Sequence, residues 1–508
     1  MSLDAAVPAA THAPPSGALL RRAAASLSRP FGWLEREAAL VALFAAYLGV
    51  VLTALPHELV QDTWLTLDSG RQVVAHGLPR TDMLTTWTLG VEWIDQQWLA
   101  QVAFYALWLL GGMKAAMLGH AALLALAFGS ALLAARRLGA TVKSVALVGV
   151  AAVLVAPWTL QMRAQSFALP LFVWLLWLLA ADSRAPSRRV FLVFPLLVLW
   201  ANLHGTVVLA ALFVGLRGVT YAAAEARRSP RAAGWIPRSL ALTLGPCACL
   251  FASPYGFDLV GYYHSLLLNP ALRWFIDEWG ASTPSQATGA FYLLAFGSVW
   301  LLARRRARLT VFEQLALLAA GAAGVTAIRS IVWFGLAALV FLPLLLDGEL
   351  SEWKARRLGR QVRLGLGIAA AATVVLATGV AAAQPASWYS SAWPSEGAEQ
   401  VARVAEDRAG AKIFSDDRYA NWLLWTQPQL AGRVAHDVRF ELFTEEQFLE
   451  LFRFRNRIGD DWRSAIEGYD VLALDYVERR DLVEALQSNG EFETEWRDDG
   501  LVVLVRRR

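Results

Sequence analysis

Apolar runs recur near residues 38–55, 114–134, 144–160, 166–181, 190–203, 207–222, 239–253, 289–303, 310–326, 331–346 and 364–384, and they constrain this chain more than any other feature. A spanning helix needs roughly 20 apolar residues, because only a helix satisfies its own backbone in hydrocarbon. With 508 residues, 56% of them hydrophobic and 22 of them Trp, the chain is too apolar for a soluble enzyme of its length. The expected fold is a polytopic α-helical membrane protein with about eleven transmembrane helices. The further apolar run 99–110 is too short to span and reads as a helix lying along the interface.

Charge between the runs is one-sided. Basic residues cluster in the loops near 21–36, 136–143, 184–189, 217–238, 304–308 and 354–363, whereas the opposite loops hold only Arg71, Arg80, Lys114, Arg163, Arg273 and Arg329. The positive-inside rule then places the N-terminus in the cytoplasm, and an odd number of spans places everything from Pro385 onward outside. This divides the chain into a disordered cytoplasmic tail at 1–37, a membrane module at 38–384 with its first outer loop at 56–112, and an extracytoplasmic domain at 385–508. The first 30 residues lack the continuous apolar stretch of a secretory signal. Arg outnumbers Lys by 42 to 4, a coding bias of GC-rich bacterial genomes, so the expected location is a bacterial cytoplasmic (inner) membrane.

The C-terminal domain reads as small and α/β, with helix-like stretches at 395–409 and 445–454 and strand-like runs at 411–414, 470–474 and 501–505. Its acidic runs Asp416-Asp417-Arg418, His436-Asp437 and Asp460-Asp461 admit a cation or an acceptor glycan, but Asp favours turns and solvated turn residues are the preferred reading. Cys247 and Cys249 stand two apart in an apolar run, do not share a helix face, and read as small core residues. His120, in mid-span, reads as a hydrogen-bonded packing residue.

The chemistry concentrates in the first outer loop. Trp64, Leu67, Arg71 and Val74 recur at helical spacing, which predicts an amphipathic helix resting on the membrane and stopping at His76-Gly77. Asp62 lies at its N-terminal end, where the helix dipole stabilises a carboxylate able to accept a proton; capping the helix is the alternative role. Residues 84–88 and 91–94 around Leu89-Gly90 suggest a short hairpin carrying Glu92 and Asp95 beside Trp93 and Trp98. The remaining outer turns contribute Arg163 and Gln165, Asn202 and His204, Asp277-Glu278-Trp279, and Arg329. Two isolated arginines on a face poor in basic residues suit a phosphate, which Arg grips with two parallel bonds.

The pattern Asp62-x-Trp64, Gly70, His76-Gly77-x-Pro79-x-x-Asp82, Gly90-x-x-Trp93 and Trp98-Leu99-x-Gln101 resembles the first outer loop of the type-C (GT-C) glycosyltransferases, the group of protein mannosyltransferases and of aminoarabinose transferases acting on lipid A. Trp200-Ala201-Asn202-Leu203-His204-Gly205, Pro254-Tyr255-Gly256, Glu278-Trp279, Arg329 and the stretch 414–425 are similar to the bacterial members. The resemblance implies transfer of a sugar, with inversion, from a polyprenyl-phosphate carrier to an extracytoplasmic glycan, lipid or protein. It implies Asp62 as the base, and Asp95 or Glu92 as a second acid that positions the acceptor or, in some members, helps hold a divalent cation. Arg163 and Arg329 then neutralise the leaving phosphate, and Asp82, Gln165, Asn202, His204 and Glu278 complete the substrate-binding set. Two positions depart from the family pattern, which often has Asp-Glu where this chain has Asp62-Thr63 and Gly-Gly-Tyr where it has Ala420-Asn421-Trp422.

Two other function classes compete. A transporter or flippase for a lipid-linked sugar would show internal repeats and mid-membrane charge, whereas the polar residues here gather at one face. A non-enzymatic membrane scaffold would tolerate loss of Asp62.

Overall fold

The computed structural model describes residues 16–156, 160–228, 231, 233–350, 358–408 and 410–507, with side chains from residue 31 onward. Helices follow in the order α1 (Ser16–Ala54), α2 (Gln61–His76), α3 (Trp98–Arg137), α4 (Val142–Val155), α5 (Ala168–Arg184), α6 (Val193–Ala201), α7 (Val207–Arg228), α8 (Ile236–Leu250), α9 (Leu259–Leu268), α10 (Pro270–Phe275), α11 (Gly289–Arg305), α12 (Val311–Thr326), α13 (Ile331–Leu350) and α14 (Arg360–Ala383). The C-terminal region adds α15 (Ser395–Asp407), α16 (Asp417–Thr426), α17 (Glu445–Asn456) and α18 (Arg480–Ser488). Each expected apolar run falls on a helix of this series. The segments Phe31–His57, Trp98–Arg137, Ala164–Arg184, Val207–Arg228, Ile328–Leu350 and Arg360–Ala383 are long and apolar enough to cross a bilayer, and α4, α8 and α12 are shorter apolar helices.

Two local expectations need comment. Residues 1–15 of the expected disordered tail, and the basic residues Lys354, Arg356 and Arg357, lie outside the described residues, while the backbone is already helical from Ser16. The separation of 99–110 from the span that follows it appears inside α3 as a break at Gly111 and Gly112. Gly112 has φ +63° and ψ −157°, a conformation closed to side chains with a Cβ.

The sheet has strands β1 (Ile413–Ser415), β2 (Val471–Asp475), β3 (Phe492–Arg497) and β4 (Leu501–Arg506), in the spatial order β1-β2-β4-β3. β1 runs parallel to β2; the other two pairings are antiparallel. Three strands and helices α15 and α17 coincide with the sequence reading. β3 escaped it because its residues are mostly exposed and show no alternation.

The first loop is sewn into this sheet. Val434 bridges Ile413 on one side and Thr85 on the other, and Thr86 and Trp87 donate backbone N–H bonds to Val434 and Ala435 at 2.8 and 2.9 Å. The expected hairpin is thereby corrected: 91–93 pairs with 80–82, through Asp82 N–H to Val91 O at 2.8 Å and Trp93 N–H to Arg80 O at 3.0 Å. The Asp82 carboxylate is the physical reason, since it accepts from Leu84 N–H (2.9 Å), Thr85 Oγ1 (2.7 Å) and Thr88 Oγ1 (2.6 Å), folding 82–88 into a compact turn. That leaves the backbone of 84–87 for the C-terminal region.

Helix α2 is also not the surface-resting helix of the sequence reading. Every residue from Thr63 to Gly70 is buried, because α3 covers one side and α16 the other. A Cβ at Gly70 would stand 2.3 Å from the Gln101 carbonyl oxygen, so only glycine allows this approach of α2 to α3. From α2, Arg71 donates to the carbonyls of Leu424 and Trp425 at 3.0 Å each, capping the C-terminal end of α16.

One hydrophobic core runs from the membrane helices through Tyr389 into Val401, Trp422, Val471 and Val503. On the other sheet face Phe414, Phe448 and Leu472 pack with Ala271 and Leu272 of α10. The joint is reinforced by buried charge: Arg439 pairs with Asp82 at 2.7 Å and Asp437 at 2.8 Å, beneath the Trp93 ring at 4.4 Å. Burial opposes ionisation of Asp82, yet Arg439 and the Thr88, Leu84 and Thr85 donors hold its carboxyl below the usual range. Replacing Arg439 by Met is expected to strand two buried carboxylates and to cost about 3–5 kcal/mol. Thermal unfolding and limited proteolysis of the C-terminal region would measure it, and an unchanged profile would refute the assignment.

Candidate active site

The start of α2 is fixed before any functional side chain is placed. Val60 N–H donates to Thr63 Oγ1 at 3.0 Å, and Thr63 Oγ1 donates to Met162 O at 2.7 Å, while Met162 N–H donates to Glu58 O at 3.0 Å. Thr63 is thus a tether between the first loop and the segment that carries Arg163. The cap position belongs to Val60, so Asp62 does not cap α2. Its Oδ2 stands 3.3 Å from Arg163 Nε.

Arg163 turns its other two nitrogens on Glu278, each 2.8 Å from a carboxylate oxygen. Arg329 lies beside them with its guanidinium 4.1 Å from the Trp279 ring centroid, and Ile328 N–H donates to Gly280 O at 3.1 Å to hold the two turns together. Arg329 makes no ion pair within 4 Å among the described residues. Partial burial opposes it, yet the Glu278 carboxyl is held below its usual range by Arg163 and Arg329. Gln161, Arg163, Gln165, Glu278 and Arg329 line one small pocket against Leu169 and Val332. The geometry therefore joins Asp62, Arg163, Gln165, Glu278 and Arg329, from four separate loops.

The other candidates stand elsewhere. Asp95 is buried behind the site, with Oδ1 accepting from Gln101 Nε2 at 2.8 Å. Burial pushes its carboxyl up to about 7, with the Glu441 charge adding to the effect against the Gln101 bond. His204 is buried and accepts from Thr206 N–H through Nδ1 at 3.2 Å. Burial, with the charges of Arg329 and Arg163, pushes its imidazole down to about 3, so it acts only as a neutral ring.

Three of the expected substrate-binding residues stand apart from this group. Asn202 is a structural clip: its amide donates to Val198 O (2.9 Å) and Ala252 O (2.8 Å), and its Oδ1 accepts from Trp98 Nε1 (3.0 Å). Asp82 is consumed by the turn and by Arg439. Glu92 is exposed on the bridge to Thr81, turned to solvent. The reading of the acidic runs as solvated turns holds for Asp460-Asp461, which are exposed in a turn, and is revised for the others, because Asp416 and Asp437 are 4% and 1% exposed and Asp417 is ion-paired to Arg455. Among the described residues no three His, Cys, Asp or Glu side chains converge into a group able to hold a metal by themselves.

Two contributors carry no mark in local sequence. Gln161 precedes Arg163 by two residues in a stretch without pattern. Glu441 comes from the C-terminal region, and burial pushes its carboxyl up to about 7, with the Asp437 and Asp62 charges adding to the effect against Arg439. No local motif marks it, since only the return of the C-terminal region over the first loop brings it near.

The Asp95 assignment carries a pH signature. A carboxyl raised from the unfolded value of about 4 to about 7 contributes stability that is fully present below about pH 4 and lost as pH rises through about 7. Asp95→Asn removes that titration and is expected to flatten the fall in melting temperature between about pH 5 and about pH 8. Identical slopes for native and variant protein in nanodiscs would sink it.

No model of a known protein family matches the sequence, and no characterised protein matches it at a significant level. Solved structures do match in fold. An oligosaccharyltransferase from Archaeoglobus fulgidus, tethered to an acceptor peptide, superposes with TM-score 0.52 at 12% identity, over 94% of this chain and 75% of the other. ArnT from Cupriavidus metallidurans superposes in its apo state with TM-score 0.50 at 16% identity, over 92% of this chain and 97% of the other. The undecaprenyl-phosphate-bound form of that ArnT gives 0.48 at 15% identity over the same shares. The apolar helices, the first loop locked beneath a C-terminal α/β region, and the superpositions on the oligosaccharyltransferase and on apo ArnT together show a polytopic helical membrane protein with the fold that those two structures share.

Proposed function

We propose that this protein transfers a sugar from a polyprenyl-phosphate carrier to an acceptor hydroxyl, with inversion, at the extracytoplasmic face of a bacterial inner membrane. The observation that carries the reading is Arg163, which joins the carboxylate of Asp62 to Glu278 in a pocket that also holds Arg329. A base and two guanidiniums are the parts that such a displacement needs. The Asp62 carboxylate takes the acceptor proton, the acceptor oxygen bonds to the anomeric carbon, and the carrier phosphate leaves with the electron pair of the broken C–O bond. Negative charge then grows on the phosphate oxygens. Arg329, which makes no direct ion pair among the described residues, receives that charge first, and Arg163 shares it by loosening one prong of its fork to Glu278.

The one-sided basic loops support a cytoplasmic N-terminus and an outward site. The shared fold of an oligosaccharyltransferase supports the reaction class. The test is release of polyprenyl phosphate from polyprenyl-phosphate sugars by the purified protein in nanodiscs, supplied with envelope extracts as acceptor. Donor consumption with formation of a glycosylated product is expected; movement of intact donor between leaflets without consumption would favour the transporter reading.

A further inference from the structure

Two cavities share Gln161 beside the start of α2. The arginine pocket lies on one side, and on the other a groove of about 490 Å³ opens between the first loop and the C-terminal region. Gln161 lines both, and Gln61, the neighbour of Asp62 in sequence, lines the groove. A ligand lying in the groove therefore reaches Gln61, the chain neighbour of the base.

The walls of the groove have a definite chemistry. The carboxylates of Asp416, Asp417, Asp475 and Glu478 face the guanidiniums of Arg418, Arg455 and Arg479. These groups are fixed to one another: Asp416 accepts from Asp475 N–H at 2.7 Å, Arg418 donates to Asp475 at 2.9 Å, and Arg455 pairs with Asp417. Two N–H donors, Nε of Arg455 and Nε of Arg479, are buried without a hydrogen-bond partner. Trp393, half-buried and held edge-on by Trp64 at 5.1 Å, adds an aromatic wall.

An acyl chain does not suit this surface, where Leu59, Val60 and Ala392 are the aliphatic lining. Nor does a polyanionic acceptor, because carboxylates outnumber guanidiniums and the groove lacks a positive excess. Vicinal hydroxyls do suit it. Each is a donor and an acceptor at once, so a pyranose ring can accept from the exposed guanidinium of Arg418, donate to the carboxylates and lay its apolar face on Trp393. We propose that this groove binds the acceptor as an uncharged carbohydrate, so that the hydroxyl presented to Asp62 belongs to a glycan. The proposal rests on the transferase reading only for what happens next.

The test uses the full chain in nanodiscs and neutral di- to tetrasaccharides of the gluco, manno, galacto and rhamno series, with phosphatidate vesicles and an unstructured peptide as competitors. Saturation-transfer NMR detects binding, and hydrogen exchange locates it. Protection of 415–418 and 475–479 by at least one saccharide is expected, with Glu478→Gln and Trp393→Ala weakening it about tenfold and Trp393→Phe retaining it. Glu478 is exposed, so its variant leaves the fold intact. Protection by phosphatidate or peptide instead, by no saccharide, or unchanged affinity in both weakening variants would overturn the proposal. Saccharide binding without donor consumption would leave the groove standing and defeat the transferase reading, whereas glycan transfer indifferent to Glu478 and Trp393 would do the reverse.

Discussion

Asp62→Asn is expected to lower the rate of sugar transfer by about 10²–10⁴-fold while leaving the fold and donor affinity close to native. The amide has the shape of the carboxylate and its oxygen can still face Arg163 Nε, now 3.3 Å away, so the loop geometry survives. What disappears is the only function the amide cannot imitate, acceptance of a proton from the acceptor hydroxyl. The loss should therefore fall on kcat, with little change in the donor KM. Asp95 is a poor substitute, since one oxygen is fixed by Gln101 and burial favours its protonated form up to about pH 7. The comparison is single-turnover transfer by native and variant protein in the same lipid. Transfer that survives the substitution would remove Asp62 from the chemistry and pass the role of base to Asp95 or Glu441.

The second large effect is expected at Arg163. Arg163→Ala should reduce kcat/KM by about 10²–10³-fold, the loss that follows removal of one preorganised donor from a site of developing negative charge. Removing the side chain also frees Glu278 and Asp62 to repel the carrier phosphate. Arg163→Lys should rescue little, because an ammonium cannot hold both Glu278 oxygens at 2.8 Å and still face Asp62. A purely structural arginine would give similar kinetics, so the deciding readout is inhibition by free polyprenyl phosphate. Its inhibition constant should rise about tenfold or more in Arg163→Ala and change little in Glu278→Gln, which keeps the guanidinium. An inhibition constant equal in native protein and Arg163→Ala would rule out phosphate contact by Arg163.

Much of the architecture follows from local pattern. The apolar runs became helices because each carries its own reason to be helical and buried. Thr444 and Gln447 cap α17 reciprocally, as Thr310 and Glu313 cap α12, and such signals need no distant partner. Where the pattern misled, a distant partner had intervened. The spacing of Trp64, Leu67 and Arg71 described one apolar face, yet α16, some 350 residues further along the chain, covers the other. Asp82, Asn202 and Glu92 looked alike in sequence as polar residues of an outer loop. Burial and partners separate them into an ion-pair anchor, a backbone clip and a solvated side chain.

The sequence by itself determined the class of the protein, the positions of its apolar helices and the set of loops poor in basic residues, because hydrophobic periodicity and charge distribution act over a few turns of chain. Only the tertiary structure decided which polar residues form a site. Asp62, Arg163, Glu278 and Arg329 are brought together by packing among four loops, and the groove beside them exists only because the C-terminal region folds back over the first loop. An ion pair is short-ranged and blind to sequence separation, so its partner is chosen by the core that fixes both backbones and not by the residues that precede it.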